Sequence, residues 1–225
     1  MEMNNDNDRI LNIQNNNNLN FFSKVQQDND EFMINPYDDL NMSCQYSNIK
    51  ETIENMKNKK GLKIISWNIR SLQANFNQFK DFIDSFNREG CCLDIICLSE
   101  IWILKNIEFY NLENFNFVYK MRNLSTGGGV AYYVRKGIQY KELKNLSLFE
   151  EKIIESLTIE LEIGKKEKLI LTNLYRSNSP HPNYTMSDQN DRFLDLFYKL
   201  QADLTGLKHN SYIVGDFNFD LLKFE

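Results

Sequence analysis

The stretch that most limits how this chain can fold runs from Leu62 to Glu100. It reads as an apolar run "LKIISWN", an amphipathic segment "FNQFKDFIDSFNRE" and a second apolar run "CLDIICLSE". In the middle segment Phe76, Phe79, Ile83 and Phe86 recur at helical spacing on one face. The flanking runs are apolar at successive positions, as strands covered on both faces are. Strand, helix, strand in that order predicts a βαβ unit.

Shorter strand-like pieces follow at hairpin spacing: "FNFVYK", "GGVAYYVRK", "IQYKEL", "ESLTIELEI" and "KLILTNLYR". The last two flank Gly164-Lys165-Lys166-Glu167, where glycine tolerates the positive φ of a tight turn. A second helical face follows through Phe193, Phe197, Leu200 and Leu204, and "SYIVGD" returns to a buried strand. The expected class is α/β, with mixed β-sheets and helices on the outside.

Residues 1–60 have a different texture, with 15 Asn and apolar residues in no sustained period. Such a tract buries too little surface to offset the entropy of ordering it. The expected organisation is therefore a mostly disordered Asn-rich leader over 1–60 and one domain over 61–225. The leader carries 6 Lys+Arg against 10 Asp+Glu, and the whole chain has a net charge of −5, which leaves residues 61–225 near −1. A nearly neutral domain has no long-range pull on nucleic acid, so phosphate binding there must rest on local groups or a metal.

No run of about 18 apolar residues is present, and the first twenty lack the basic start and apolar core of a secretory signal. A soluble intracellular protein, nuclear or cytoplasmic, without membrane contact is expected. Cys91 and Cys92 are adjacent and Cys97 lies on the same apparent strand, so neither a disulfide framework nor a zinc site suits the spacing. They are expected to be reduced core residues.

Chemistry enters where the buried strands stop. "KIISWN" ends on Asn68, "DIICLSE" on Glu100, "LILTNLY" on Tyr175 with Arg176 and Asn178 beyond it, and "YIVGDFN" on Asp216 and Asn218. Strands that enter one core bring such exits to one rim, where sites on α/β frameworks form. Singly, an Asn or Asp after a strand is more often a turn former; four coinciding exits are harder to dismiss.

The set favours phosphoester chemistry. Glu100 is a hard oxygen ligand suited to Mg²⁺, Asp216 can orient or deprotonate a water, and Asn68, Asn178 and Asn218 can hydrogen-bond phosphate oxygens. Tyr175 and Arg176 can hold charge that develops on phosphorus. Nucleophilic Ser or Cys catalysis fits less well, for there is no GxSxG and no Cys beside a base.

"SWNIR", "LSEIW", "GGGVAYYVRKG", "NLYRSNS" and "IVGDFNFD" follow, in order, the motifs of the endonuclease/exonuclease/phosphatase superfamily. The chain resembles most the apurinic-type endonuclease domain of non-LTR (LINE-like) retrotransposons, over about Leu62 to Asp220. The resemblance implies a four-layer sandwich of two mixed β-sheets flanked by helices, and a Mg²⁺- or Mn²⁺-dependent endonuclease that nicks DNA beside a downstream reverse transcriptase. It assigns Asn68 and Glu100 to the metal and Tyr175 to the scissile phosphate, with Asn178 beside it. Asp216 would act on the attacking water, oriented by Asn218. Arg70 stands where repair members carry an acidic residue, Ile101 replaces a usual Thr, and Glu155 sits where relatives have an acidic residue without an assigned role.

The same resemblance calls for a later Asp, a Ser-Asp-His triplet and further strands of the second sheet. This sequence contains no Ser-Asp-His; its histidines, His181 and His209, both fall in loops, where solvated side chains are expected. The expectation is a C-terminally incomplete domain, impaired as written. An inactive remnant and a phosphatase for a small phosphoester are the alternatives.

Overall fold

The structure is a computed structural model that describes residues 48–102, 105–123, 125–164 and 167–218. Most of the Asn-rich leader, residues 1–47, lies outside the described residues, as does the end of the motif "GDFNFD" from Phe219 onward.

The chain divides into two compact units, Met1–Lys59 and Lys60–Glu225. In the first, helix α1 spans Ile49–Lys57. Asn48 caps it: its Oδ1 accepts from Glu51 N at 3.0 Å while Glu51 Oε2 accepts from Asn48 N at 3.2 Å. The reciprocal cap satisfies two orphan donors at the helix start. No element is expected here from the sequence, because nine residues are too few for a helical period to stand out from scattered apolar residues.

The second unit begins with the expected βαβ arrangement. Strand β1 (Ile64–Asn68) leads into helix α2 (Leu72–Arg88) and strand β2 (Ile95–Ser99), and β1 and β2 pair in parallel from Ile64↔Ile95 to Asn68↔Ser99. Strands β3 (Phe115–Lys120) and β4 (Val130–Arg135) complete a sheet in the order β1-β2-β4-β3, with β4 antiparallel to both neighbours. The Phe79 ring of α2 lies 5.7 Å from Trp67 and 5.3 Å from Tyr133, which fixes the helix on the outer face of this sheet.

The second sheet holds β5 (Tyr140–Glu142), β6 (Phe149–Glu150), β7 (Ile154–Glu162), β8 (Lys168–Arg176) and β9 (Asn210–Asp216). The order is β5-β7-β8-β9 with β6 also on β7; β7 and β8 form the expected hairpin, while β8 and β9 are parallel. The crossover between β8 and β9 is helix α3 (Met186–Thr205). Phe193, Leu200 and Leu204 of α3 pack on Ile154, Ile170 and Leu174 of the sheet's outer face. The two-residue β6 was not expected, being too short to carry a pattern.

Side-chain alternation then explains how the inner faces meet. Tyr133 turns outward to α2, so its neighbour Tyr132 turns inward, where its hydroxyl lies 3.0 Å from Leu157 O and 2.9 Å from Leu171 O of the other sheet. From that other sheet Asn173 Nδ2 donates to Leu98 O at 2.8 Å and Ala131 O at 3.0 Å. These groups are fully buried, so each bond also spares a polar atom the cost of going unpaired. Two mixed sheets face to face, with helices outside, match the expected class.

Two corrections concern the cysteines. Strand β2 begins at Ile95, so Cys91 and Cys92 precede it, and Cys92 is exposed rather than in the core. Cys91 and Cys97 are buried, and burial pushes the Cys97 thiol pKa up; Cys44 lies outside the described residues. Among the described residues no helix is long and apolar enough to cross a membrane.

Candidate active site

The ends of β1, β2, β8 and β9 do converge. Trp67 faces α2, so Asn68 faces the space between the sheets, and its Nδ2 donates to Glu100 Oε1 at 2.7 Å and to Asp216 Oδ2 at 2.6 Å. Asn68 Oδ1 accepts from Arg70 N at 3.2 Å, which sets the amide so that its nitrogen meets both acids. The three residues come from positions up to 148 apart in sequence. All are half-buried, at the open end of the sandwich.

The backbone is strained where it turns away from these strands. Arg70 (φ 44°), Ser71 (φ 83°), Glu100 (φ 54°), Trp102 (φ 62°) and Asn218 (φ 49°) all lie in the left-handed region. Each such residue costs about 1–3 kcal/mol and persists only where its surroundings over-determine it. Ser71 N donates to Glu100 O at 2.8 Å, which ties the β1 and β2 exits together. Gly215, just before Asp216, is required for a different reason: a Cβ there would collide with the Leu174 carbonyl of the neighbouring strand.

Tyr175 pairs in register with Asp216 on one side and Glu155 on the other. Its phenol pKa is pushed up, first by burial and then by the charge of Glu100, with partial relief from a hydrogen bond to Ser177 and from Arg122. A phenol so placed stays protonated at any ordinary pH and can donate to a phosphate oxygen.

Arg176 follows Tyr175 on the strand and faces the opposite side. Its guanidinium donates to Phe217 O at 3.3 Å, Asn218 O at 3.0 Å and Asn190 Oδ1 at 2.5 Å, and lies 5.3 Å from the Phe193 ring centre. It is 8% exposed. The structure therefore does not bring it to the pocket of Asn68, Glu100 and Tyr175; alternation along β8 sends it to the α3 side, where it braces the Asp216 turn. Asn218 Nδ2 donates to Arg176 O at 2.6 Å, and Asn218 N donates to Asp216 Oδ1 at 3.0 Å. Asn178 is exposed beyond the end of β8.

Beneath the site lies a buried ion pair that the sequence reading missed. Arg122 Nε donates to Glu155 Oε1 at 2.5 Å, and Arg122 Nη2 lies 2.5 Å from the same oxygen. Glu155 Oε2 accepts from Gly129 N at 2.6 Å. A Cβ at Gly128 would overlap Arg122 and Glu155, and one at Gly129 would press on Ile101. The glycine run is thus a lid of bare backbone over the pair, and Gly128 O in turn accepts from Trp102 N at 2.8 Å. Glu155 was noticed in the sequence, but only the fold reveals Arg122 as its partner, 33 residues earlier.

Glu100 and Asp216 converge on one nitrogen, and two hard oxygen donors in that relation suit Mg²⁺, which takes one or two carboxylates together with phosphate. Among the described residues no cluster of three or more His, Cys, Asp or Glu could hold a metal. His181 is not free in its loop: its Nδ1 accepts from Asn183 N at 3.1 Å and its ring lies 4.8 Å from that of Tyr184. His209 is exposed just before β9, at the opposite end of that strand from Asp216.

The model of the Endonuclease/Exonuclease/phosphatase family matches residues 65–223. No curated protein matches the sequence. Among solved structures, the AP endonuclease LMAP from Leishmania major is similar at 18% identity and a TM-score of 0.56, over 70% of this chain and 55% of that one. The catalytic domain of Xenopus laevis APE2 has 18% identity and a TM-score of 0.48, over 70% and 59%. D. rerio TDP2 in complex with a single-strand DNA product has 17% identity and a TM-score of 0.44, over 71% and 61%. The chain thus spans little more than half of the Leishmania protein, and at that identity the likeness shows the fold.

Proposed function

This chain belongs to the endonuclease/exonuclease/phosphatase family, and on that premise we propose that its strand-exit cluster is a divalent-metal phosphodiesterase site that acts on DNA. The observation that carries the reading is Asn68 Nδ2 donating at once to Glu100 and Asp216. Three strand ends that meet on one atom are a constellation, whereas three turn formers would have pointed apart.

Enzymes of this family generally use divalent metals. Glu100 and Asp216 would hold Mg²⁺ or Mn²⁺ here, and the metal would polarise a phosphoryl oxygen and offset charge in an in-line displacement. Asn68 now donates to both acids; a ligand role asks the same amide to present Oδ1, which accepts from Arg70 N. Asp216 orients or deprotonates the attacking water, held in place by the N–H of Asn218. Tyr175, kept neutral by burial, donates to the scissile phosphate. Asn178, exposed beyond the end of β8, is a further phosphate contact in this reading. Arg176 supports the turn rather than the phosphate.

Within the family we assign the chain to the DNA-nicking endonucleases of non-LTR retrotransposons, on the motifs "SEIW", "GGGVAYYVR" and "NLYRSNS". A downstream reverse transcriptase in the parent element goes with that assignment. The Ser-Asp-His His and the later Asp that the assignment calls for are not supplied by this sequence, and loss of one essential member of a concerted set commonly costs about 10³-fold or more. The 225-residue chain by itself is therefore expected to nick slowly.

The test is relaxation of supercoiled plasmid with Mg²⁺ or Mn²⁺, run beside hydrolysis of inositol polyphosphates. Slow nicking that chelation and Asp216→Ala both abolish supports the reading. Hydrolysis of the small phosphoester alone would replace the substrate, and no turnover of either would leave an inactive remnant of the family.

A further inference from the structure

Trp102 is a large apolar side chain left partly open to solvent. It is 40% exposed, whereas its neighbour Ile101 is fully buried. An isolated exposed apolar residue ordinarily needs no explanation. This one differs because the backbone is strained to present it: φ is 62°, a left-handed value that a bulky residue seldom adopts.

The strained residue is tethered at two points. Its backbone N–H donates to Gly128 O at 2.8 Å, and its indole Nε1–H reaches Glu100 Oε2 at 3.4 Å. A Cβ at Gly127 would stand 3.9 Å from that same nitrogen, in ordinary contact, so the glycine run lies directly beside the ring. The polar edge of the indole is fixed against the carboxylate that faces Asn68 and Asp216, and the ring extends from there toward solvent.

Support of Glu100 needs only an N–H donor, which a smaller and less exposed group would provide without strain. A sugar or an inositol ring offers an indole only C–H contacts, whereas every nucleobase offers a full π-face, and base stacking on an aromatic side chain is tolerant of sequence. From these observations we infer that Trp102 is a stacking platform for one unstacked nucleobase next to the scissile phosphate. The substrate class is then a single-stranded or locally distorted nucleic acid. This inference rests on the phosphodiesterase reading of the same site.

The chain has two tryptophans, and the other, Trp67, is buried against Phe79 and Phe82. Fluorescence therefore reports on Trp102 without turnover. The full 225-residue chain is titrated in Ca²⁺, a hard cation suited to the same carboxylate oxygens, with an oligothymidylate and with an abasic oligomer of the same length, each carrying a terminal fluorophore whose anisotropy reads binding alike for the natural protein, Trp102→Phe and Trp102→Leu. Quenching by the base-bearing oligomer, about tenfold or more tighter binding of it than of the abasic one, and loss of that preference in Trp102→Leu but not in Trp102→Phe support the inference.

Equal binding of the two oligomers by the natural protein overturns it while leaving the phosphate site intact, and needs no variant to fold. Binding of neither oligomer overturns it together with the reading it rests on.

Discussion

Arg176 and Asn218 hold each other in both directions: the guanidinium donates to the Asn218 carbonyl at 3.0 Å, and the Asn218 amide donates to the Arg176 carbonyl at 2.6 Å. Between those contacts the chain makes the turn that carries Asp216. The aspartate therefore owes its position to a pair on the helix-facing side of the sheet, away from Tyr175. Arg176→Met keeps the length of the side chain and removes its donors to Phe217, Asn218 and Asn190. A loss of about 1–2 kcal/mol is expected in urea unfolding, from half-buried acceptors left without their charged donor. Arg176→Lys should recover only part of it, since one ammonium cannot reproduce the fork.

Asn68 predicts a metal-linked effect that does not require turnover. If Glu100 and Asp216 hold Mn²⁺, the ion should raise the unfolding midpoint of the natural chain in proportion to its occupancy. Glu100→Gln and Asp216→Asn should each remove most of that rise. Asn68→Ala should weaken it if the amide turns its oxygen to the metal and leave it intact if the amide only holds the acids. A midpoint unchanged by Mn²⁺ in the natural chain would refute the metal assignment.

The Arg122–Glu155 pair is buried at both ends, with side chains 3% and 0% exposed. Removal of one partner leaves an uncompensated charge, so Glu155→Leu should cost about 3–5 kcal/mol in chemical unfolding. The double variant Arg122→Met, Glu155→Leu should regain part of this. It should not regain all, because Gly129 N and Lys152 N also donate to Glu155 and would be left unmet. A double-mutant cycle with no coupling would show the pair to be irrelevant to stability.

Alkaline pH should destabilise the domain through its buried phenols. Burial pushes the Tyr132, Tyr133 and Tyr175 pKa values up. A group whose folded value is raised binds its proton more tightly in the native state, so its contribution is complete below the unfolded value, about 10, and is lost as pH rises beyond it. Unfolding free energy should thus be flat through neutral pH and fall above about pH 10. Tyr175→Phe should reduce the slope of that fall, measured by urea denaturation at several alkaline pH values.

Much of this fold was legible before any coordinates. The faces through Phe79, Ile83 and Phe86 and through Phe193, Leu200 and Leu204 set two helices, because burial on one side of a helix imposes a period that composition alone does not. The apolar runs set the strands for the same reason. What escaped was short or paired at a distance: β6 has two residues, and α1 is announced by a cap rather than by a period. Arg122 precedes the glycine run in plain view, yet its ion pair exists only after β7 folds beside it.

The sequence by itself determined which residues end the strands, and with them the candidate chemistry: Asn68, Glu100, Tyr175 and Asp216 could be picked out one strand at a time. Only the tertiary structure decided which of them share a space. Strand alternation is local, so neighbours such as Tyr175 and Arg176 separate to opposite faces, whereas parallel pairing of β8 with β9 and of β1 with β2 is not local and brings Asn68 to Asp216 across the chain. Hydrogen bonds across such distances depend on the whole core having formed, and no window of sequence contains that information.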